Sequence, residues 1–260
     1  MLNSLQKNLL NFCKFYMKNL LQFFYSRKHG TISVLMYNSI MKFLDYEVKT
    51  GSENMQIDSD LLDMAISQNL QEPIFRLYGW SPACVSLGRN QNDGFLDYHS
   101  LSNLNVDVVR RLTGGRALLH DDEITYSFIC PVCYLKNGVN IVESYKEICQ
   151  ILIDAFASAG IELSLGGQKG VHTKFDYCML VSTGADLCYQ GKKLIGSAQY
   201  RKEGYILQHG GILYDYDKLR LEAIFNEKVS TEEITCIKEI NPNLSKEDVI
   251  DLLRNVTCLF

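Results

Sequence analysis

A basic pair, a hydroxyl and two adjacent glycines interrupt an alternating apolar run in the string RRLTGGRALLH, residues 110–120. Strand-like alternation on both sides of a Gly-Gly pair imposes a tight connection, because glycine enters backbone conformations closed to other residues. The same pair, Gly114 and Gly115, leaves backbone N–H groups uncovered, so a ligand can lie against the main chain. A second string, GKKLIGSAQ over residues 191–199, sets two lysines directly before an apolar pair and a Gly-Ser. Neither string suits a plain strand or helix. Both suit backbone shaped around a small acyl or phosphoryl group.

Around these strings the pattern predicts alternating elements. Residues 55–69 read as a helix, and residues 74–80 and 84–88 as strands joined by a Ser-Pro turn. Residues 106–111, 117–120 and 124–130 read as strands around the glycine turn. Residues 140–159 form the clearest helix: Ile141, Tyr145, Ile148, Leu152, Ala155 and Ala159 share one stripe, and Gly160 closes it. Residues 185–190, 193–201 and 205–213 read as hairpin-linked strands with Gly191 and Gly204 at the turns. Residues 217–225 and 245–253 read as helices, the second opened by Ser245 with Asp248 three residues on. Runs of strands with few long helices predict an α+β fold, a mixed, largely antiparallel sheet with helices packed on it.

The chain has 260 residues, 47% hydrophobic and 22% charged, enough for one sizeable core in a soluble protein. A net charge of −4 gives no basic footprint for nucleic acid. Residues 1–44 hold six Lys/Arg and no acid, which leaves 20 basic and 30 acidic side chains in the remainder. Apolar residues at 2, 5, 9, 13, 16, 20 and 23 make a helical stripe there. Three readings compete: a helix on a membrane surface, a targeting peptide, or a basic amphipathic extension outside the working domain. The last is favoured, with residues 1–40 as the extension and 41–260 as the catalytic domain. Lys7, Lys14 and Lys18 interrupt every apolar run, so no membrane span is expected. Nine cysteines, an odd number without a framework or a secretory signal, point to a reducing cytoplasm. Cys130 and Cys133 form a CPVC pair, but no second close pair completes a zinc site. Two buried cysteines at a strand end are expected instead. The five histidines are too dispersed for a metal centre.

RRLTGGRALLHDDEITYS and GKKLIGSAQYRKEGYILQHGGIL resemble the biotin/lipoate protein ligase superfamily, and within it the cysteine-dependent octanoyltransferases of the lipoate pathway. NMQIDSDLL (residues 54–62) resembles that family's first helix, and RLYGWSPACVSLGRNQ (residues 76–91) its next two strands. The resemblance covers roughly residues 41–241. It implies a biotin/lipoate ligase-like catalytic domain, no cofactor, an acyl carrier protein as donor, and a lipoyl-domain acceptor such as the H protein of glycine cleavage.

The resemblance also implies a nucleophile, Cys178, 15 residues before Lys193. Exchange of a thioester onto a thiol is nearly isoenergetic and needs no ATP. A free thiol of pKa near 8.5 is only about 3% thiolate at pH 7, so a neighbouring ammonium is valuable. Lys193 is the expected ammonium, or the donor to the acyl carbonyl as it gains charge. Here the cysteine is followed by Met179, Leu180, Val181 and Ser182 where the family tends to have Phe-Asp-Ala-Pro. Cys188 is the nearest rival, read as a packing cysteine in a strand.

The implied pocket comprises Arg111, Thr113, Gly114, Gly115 and Arg116 at the glycine turn, Gly196, Ser197 and Ala198 after the lysines, and His120 and His209. The plainer readings are a hairpin turn with flanking arginines, a solvated lysine tip, and core histidines. An octanoyl chain would gain on the order of 5 kcal/mol from burying six to seven methylenes. Trp80, Val85, Leu87, Leu118 and Ile195 are the apolar residues available to bury it. Two other enzyme readings stand beside the octanoyltransferase. ATP-dependent lipoate–protein ligases tend to have a third glycine where Arg116 stands and a Gly-Asn pair where Ile124 follows Glu123. An amidotransferase moves octanoyl between lipoyl domains. A non-catalytic binder retaining the fold is the reading from another class.

Overall fold

The computed structural model describes residues 41–167, 177–180, 186–226, 228 and 232–255. The extension expected over residues 1–40 lies outside them, as do the segments flanking Tyr177–Leu180.

Among the described residues, ten strands form two sheets. In chain order the elements are β1 (Lys42–Lys49), α1 (Gly51–Ser67), β2 (Ile74–Trp80), β3 (Cys84–Leu87), α2 (Tyr98–Asn103), β4 (Asp107–Arg110), β5 (Leu118–His120) and β6 (Glu123–Pro131). There follow α3 (Ile141–Ser158), β7 (Leu163–Leu165), β8 (Leu187–Tyr189), β9 (Lys192–Lys202), β10 (Tyr205–Leu213), α4 (Lys218–Phe225), α5 (Ile237–Ile240) and α6 (Lys246–Asn255). The large sheet runs β1-β2-β6-β10-β9-β8-β7, and a small sheet runs β4-β3-β5. Among the described strands, β1/β2 and β3/β4 pair in parallel and the other pairs are antiparallel, as the α+β reading expects.

The central strands explain the layering. On β6, Ile124, Tyr126, Phe128 and Cys130 join the core under α3 and α6. Alternation then sends Glu123, Thr125, Ser127 and Ile129 to the opposite face. Ile129 packs there with Leu62 and Ala65 of α1, while Glu123, Thr125 and Ser127 are polar yet buried. The small sheet packs through Val85, Leu87, Leu118 and Leu119 with Leu213 of β10 and with α4. The molecule thus buries a polar patch between its two sheets.

Local chemistry sets the element ends. Thr50 caps α1 in a reciprocal bond with Glu53, and Asn140 caps α3. Ser245 and Asp248 exchange the expected bonds at the start of α6. The β8–β9 and β9–β10 turns have positive φ at Gln190–Gly191 and Glu203–Gly204, the twist that tight hairpins need. β1, α2, β7 and α5 are elements the sequence pattern did not announce. β1 is a half-exposed edge strand without clean alternation, and the other three span six residues or fewer.

Candidate active site

The register across the large sheet places Tyr78, Thr125, Gly211 and Gly196 in one row over β2, β6, β10 and β9. Directly paired residues share a face, so this row faces the small sheet. It is flanked by the row Ser127–His209–Ala198 on one side and by Glu123–Leu213 on the other. Two glycines in the row leave a trench. Above it lies a cavity of about 450 Å³ including its mouth, lined also by Met55, Trp80, Ser86, Leu118, His120 and Cys178. A methyl at position 211 would stand 2.5 Å from a Glu123 carboxylate oxygen, and one at 196 would stand 3.0 Å from Met179 Sδ and 3.1 Å from Lys193 Cε. These glycines are required by close approach rather than by a turn.

The reactive pair lies at the Gly196 end. Cys178 opens a 3₁₀ turn, Cys178–Leu180, and is half-buried. Its backbone N–H donates to the Ala117 carbonyl at 2.7 Å, which ties the turn to the residue after the glycine loop. Lys193 Nζ donates to the Cys178 carbonyl at 2.9 Å and stands 3.8 Å from its sulfur. The same ammonium pairs with Asp186 at 3.0 Å. Lys193 is 1% exposed whereas Lys192 is exposed, as strand alternation requires. Burial disfavours the ammonium, but its interactions with Cys178 and Asp186 outweigh burial and raise the lysine pKa above its ordinary value. Burial pushes the thiols of Cys84, Cys130 and Cys149 up to about 12. Cys188 is buried in β8.

The opposite wall is a hydrogen-bonded chain of buried groups. Arg111 makes five hydrogen bonds: Nε to Thr113 Oγ1, one amino group to the Ser86 carbonyl and hydroxyl, the other to the carbonyls of Gly114 and Arg116. Its donors hold the glycine loop in shape, with Gly115 at φ +93°. Thr113 Oγ1 contacts His209 Nε2 at 2.8 Å, and His209 Nδ1 faces Asp58 at 3.3 Å. Asp58 accepts from Arg76 and Tyr78 at 2.8 Å each and from Ser127 at 3.0 Å. Burial lowers the His209 pKa below 6.5, so the neutral ring donates from Nδ1 to Asp58 and accepts from Thr113. Burial also opposes ionisation of Asp58, yet the His209 hydrogen bond and the Arg76 charge hold its pKa below 3.8.

A second branch runs from Ser86 to His120 Nε2 at 2.7 Å and from His120 Nδ1 to Glu123 Oε1 at 2.6 Å. The Thr125 hydroxyl also donates to Glu123 Oε1 and accepts from Trp80 Nε1 at 2.7 Å. Trp80 stacks on His120 with ring centroids 3.9 Å apart and planes 15° apart.

Of the residues singled out in the sequence, Cys178, Gly115, Arg111, His120, Gly196, Ser197, Ala198 and His209 line one cavity. Thr113 lies fully buried beneath it, and Gly114 and Arg116 contribute carbonyls to Arg111 rather than cavity wall. Trp80 and Leu118 line the cavity, while Val85, Leu87 and Ile195 belong to the cores. One expectation is corrected: Cys130 is buried at the end of β6, but Cys133 is exposed, because the chain leaves the sheet in a 3₁₀ turn at Val132–Tyr134. Asp58, Arg76, Ser86, Glu123, Thr125 and Asp186 were not foreseen. The signal for Asp58 was present: Asn54, Asp58, Leu62 and Ala65 make one buried helical stripe with two polar members.

Comparison with known proteins shows the family and the fold. The family model described as the lipoyl protein ligase A/B catalytic domain matches residues 50–257. The octanoyltransferase LipM of Carboxydothermus hydrogenoformans is 38% identical over 181 residues, 68% of this chain and 67% of the relative. A lipoate-protein ligase A solved with ATP superposes with a TM-score of 0.66 at 21% identity, covering 83% of each chain. A bi-partite lipoate protein ligase from Thermoplasma acidophilum, studied with its E2 lipoyl domain, gives a TM-score of 0.64 at 19% identity, covering 83% of this chain and 81% of that one.

Proposed function

Because the chain belongs to the lipoyl protein ligase A/B catalytic-domain family and is an acyltransferase of protein lipoylation, we propose that it moves octanoyl from acyl carrier protein, through a thioester on Cys178, to a lysine of a lipoyl-domain protein such as the H protein of glycine cleavage. The observation that carries this reading is the buried ammonium of Lys193 beside the half-buried sulfur of Cys178. The LipM relative supports the octanoyl group, and the archaeal ligase, studied with an E2 lipoyl domain, supports the class of acceptor. We assign the chemistry to residues 41–260 and none of it to residues 1–40. No described helix is long and apolar enough to cross a membrane; the thiol chemistry suits the reducing cytoplasm.

In the first step the Cys178 thiolate attacks the donor thioester carbonyl. The new C–S bond forms, the bond to the carrier sulfur breaks, and the carrier sulfur leaves as a thiol with the proton that Cys178 gave up on ionising. In the second step the neutral ε-amine of the acceptor lysine attacks the Cys178 thioester. A C–N bond forms, the bond from the acyl carbon to the Cys178 sulfur breaks, and the proton lost by the amine passes to that sulfur, which restores the Cys178 thiol. The thiol is the nucleophile least handicapped at neutral pH, and dividing the transfer gives two easier steps. Lys193 is suited to both, facing the sulfur and the developing oxyanion. Arg111, with its donors directed into the glycine loop, shapes the pocket and leaves recognition to the backbone.

The test is transfer to a purified lipoyl domain with octanoyl-acyl carrier protein, with and without ATP. Octanoyl-lysine forming at the same rate in both is expected. Octanoylation that needs ATP and free octanoate would assign the chain to the ligase class.

A further inference from the structure

We propose that Ser86, His120 and Glu123 form a second nucleophilic centre in the same cavity, one that hydrolyses acyl esters without Cys178. The three are aligned as nucleophile, base and positioning residue. The Ser86 hydroxyl stands 2.7 Å from His120 Nε2, and His120 Nδ1 stands 2.6 Å from Glu123 Oε1. A carboxylate only accepts, so Nδ1 carries the ring proton and Nε2 is left to accept from Ser86. A hydroxyl is activated in this way when a base lies within hydrogen-bond reach and a third group orients the base. An amino group of Arg111 donates to the Ser86 oxygen at 3.1 Å, a charge that favours the alkoxide as it forms. Trp80, stacked on His120, fixes the plane of the ring.

The molecule supplies its own comparison. His209 also sits between a hydroxyl and a carboxylate, those of Thr113 and Asp58. There, however, Thr113 is fully buried beneath the cavity, and Asp58 is already paired with Arg76 at 2.8 Å. Ser86 and His120 line the cavity instead. Among the described residues Glu123 has no lysine or arginine partner, and its Oε2 is buried without a hydrogen bond. Its charge is therefore left for an imidazolium at His120, which is what the base becomes on taking a proton. Ser86 pairs with Leu118 across β3 and β5, and Cys178 borders β5 on the other side, its N–H on the Ala117 carbonyl. Two interstrand spacings, about 10 Å, separate the two positions, so one acyl carbonyl cannot occupy both.

In the first step the Ser86 oxygen adds to the ester carbonyl carbon, and its proton passes to His120 Nε2. The bond from that carbon to the alcohol oxygen breaks, and the alcohol leaves with the proton from His120. Water then adds to the Ser86 ester and gives a proton to His120. The bond to the Ser86 oxygen breaks and that oxygen takes the proton back, so ester and water become acid and alcohol.

The experiment uses the full chain carrying Cys178→Ala, so the thioester route is absent and its own success or failure has no bearing on the result. p-Nitrophenyl octanoate measures hydrolysis, and a fluorophosphonate probe followed by peptide mapping finds the nucleophile. Hydrolysis above the spontaneous rate and a phosphonyl adduct on Ser86 are expected, both lost with Ser86→Ala. Glu123→Gln should lower kcat about a hundred- to ten-thousandfold, the usual contribution of a positioned base, and leave KM unchanged, because Glu123 orients the ring and touches no substrate. Labelling needs no substitution in the centre itself, so it decides the matter if those variants do not fold. An unlabelled Ser86, hydrolysis at the spontaneous rate, or a rate unmoved by Ser86→Ala overturns the proposal.

Discussion

The two walls of the cavity are built on opposite principles. On the glycine-loop side, Arg111, Thr113, His209, Asp58 and Arg76 are joined by hydrogen bonds of 3.3 Å or less. On the Cys178 side, the cysteine is half-buried and keeps a long contact to Lys193 at 3.8 Å. A buried polar network rigidifies what surrounds it when its members are satisfied. A nucleophile must instead keep an approach open to a carbonyl. The difference teaches that buried polarity here divides into groups that make the pocket and groups that act in it. Substitutions on the first wall should change stability, and those on the second should change rate.

The largest effect belongs to the nucleophile. Cys178→Ala should abolish transfer, while Cys188→Ser, in β8, should leave it nearly intact. A rate assay on both variants breaks the comparison if their order is reversed. Cys178→Ala should also leave stability within about 1 kcal/mol in urea unfolding, because a half-buried thiol supports little of the fold.

Asp58→Ala is the mirror case. It leaves the Arg76 guanidinium buried without its carboxylate, a change that costs about 3–5 kcal/mol. Urea unfolding should show that loss. Unchanged stability with lost activity would move Asp58 to the reactive wall.

Lys193→Ala should slow turnover about a hundred- to a thousandfold, the usual cost of removing one donor to a developing oxyanion. Lys192→Ala, one residue earlier on the exposed face of β9, should have little effect. Equal mild losses would reduce the pair to a solvated turn.

The smallest effect is a pH dependence. His209 has a lowered pKa in the folded protein, so below its ordinary value of 6.5 the unfolded chain takes up a proton that the folded chain does not. Stability should therefore fall as pH drops through 6.5, by at most about 1.4 kcal/mol per pH unit from this group, down to its folded pKa. Asp58, also lowered, adds a further loss as pH falls below 3.8. His209→Gln should remove the first component and weaken the second, because the His209 hydrogen bond helps hold the Asp58 pKa down. Unfolding curves at stepped pH that are identical for both proteins would contradict the neutral, network-bound histidine.

The sequence carried the reactive wall better than the rigid one, for a physical reason. Lys193 and the Gly-Ser after it break the pattern of a strand, and a break is visible in one dimension. Gly191 and Gly204 likewise marked hairpins that form as expected. The rigid wall is assembled from residues distant in sequence: Asp58 meets His209, and Ser86 meets His120. Each alone reads as an ordinary polar residue; the packing of α1 on the large sheet brings Asp58 to His209, and the pairing of β3 with β5 brings Ser86 to His120. Glu123, Thr125 and Ser127 did hold a trace of it, as polar residues alternating with Ile124, Tyr126 and Phe128 in a strand buried on both faces. Arg111 was expected at the pocket rim and lines the cavity; that its five hydrogen bonds go to its own loop and to Ser86 depends on how the Gly-Gly turn folds back. Cys133 was expected to be buried and is exposed, because the end of β6 and the turn after it lie beyond what periodicity specifies.

The most direct measurement mixes the pure protein with octanoyl-acyl carrier protein, omits ATP and weighs the protein by intact mass spectrometry, followed by peptide mapping. The account predicts a mass gain of one octanoyl group, released by neutral hydroxylamine and mapped to Cys178. An adduct mapped to Cys188, or none in a preparation that octanoylates a lipoyl domain once ATP and octanoate are added, would contradict it.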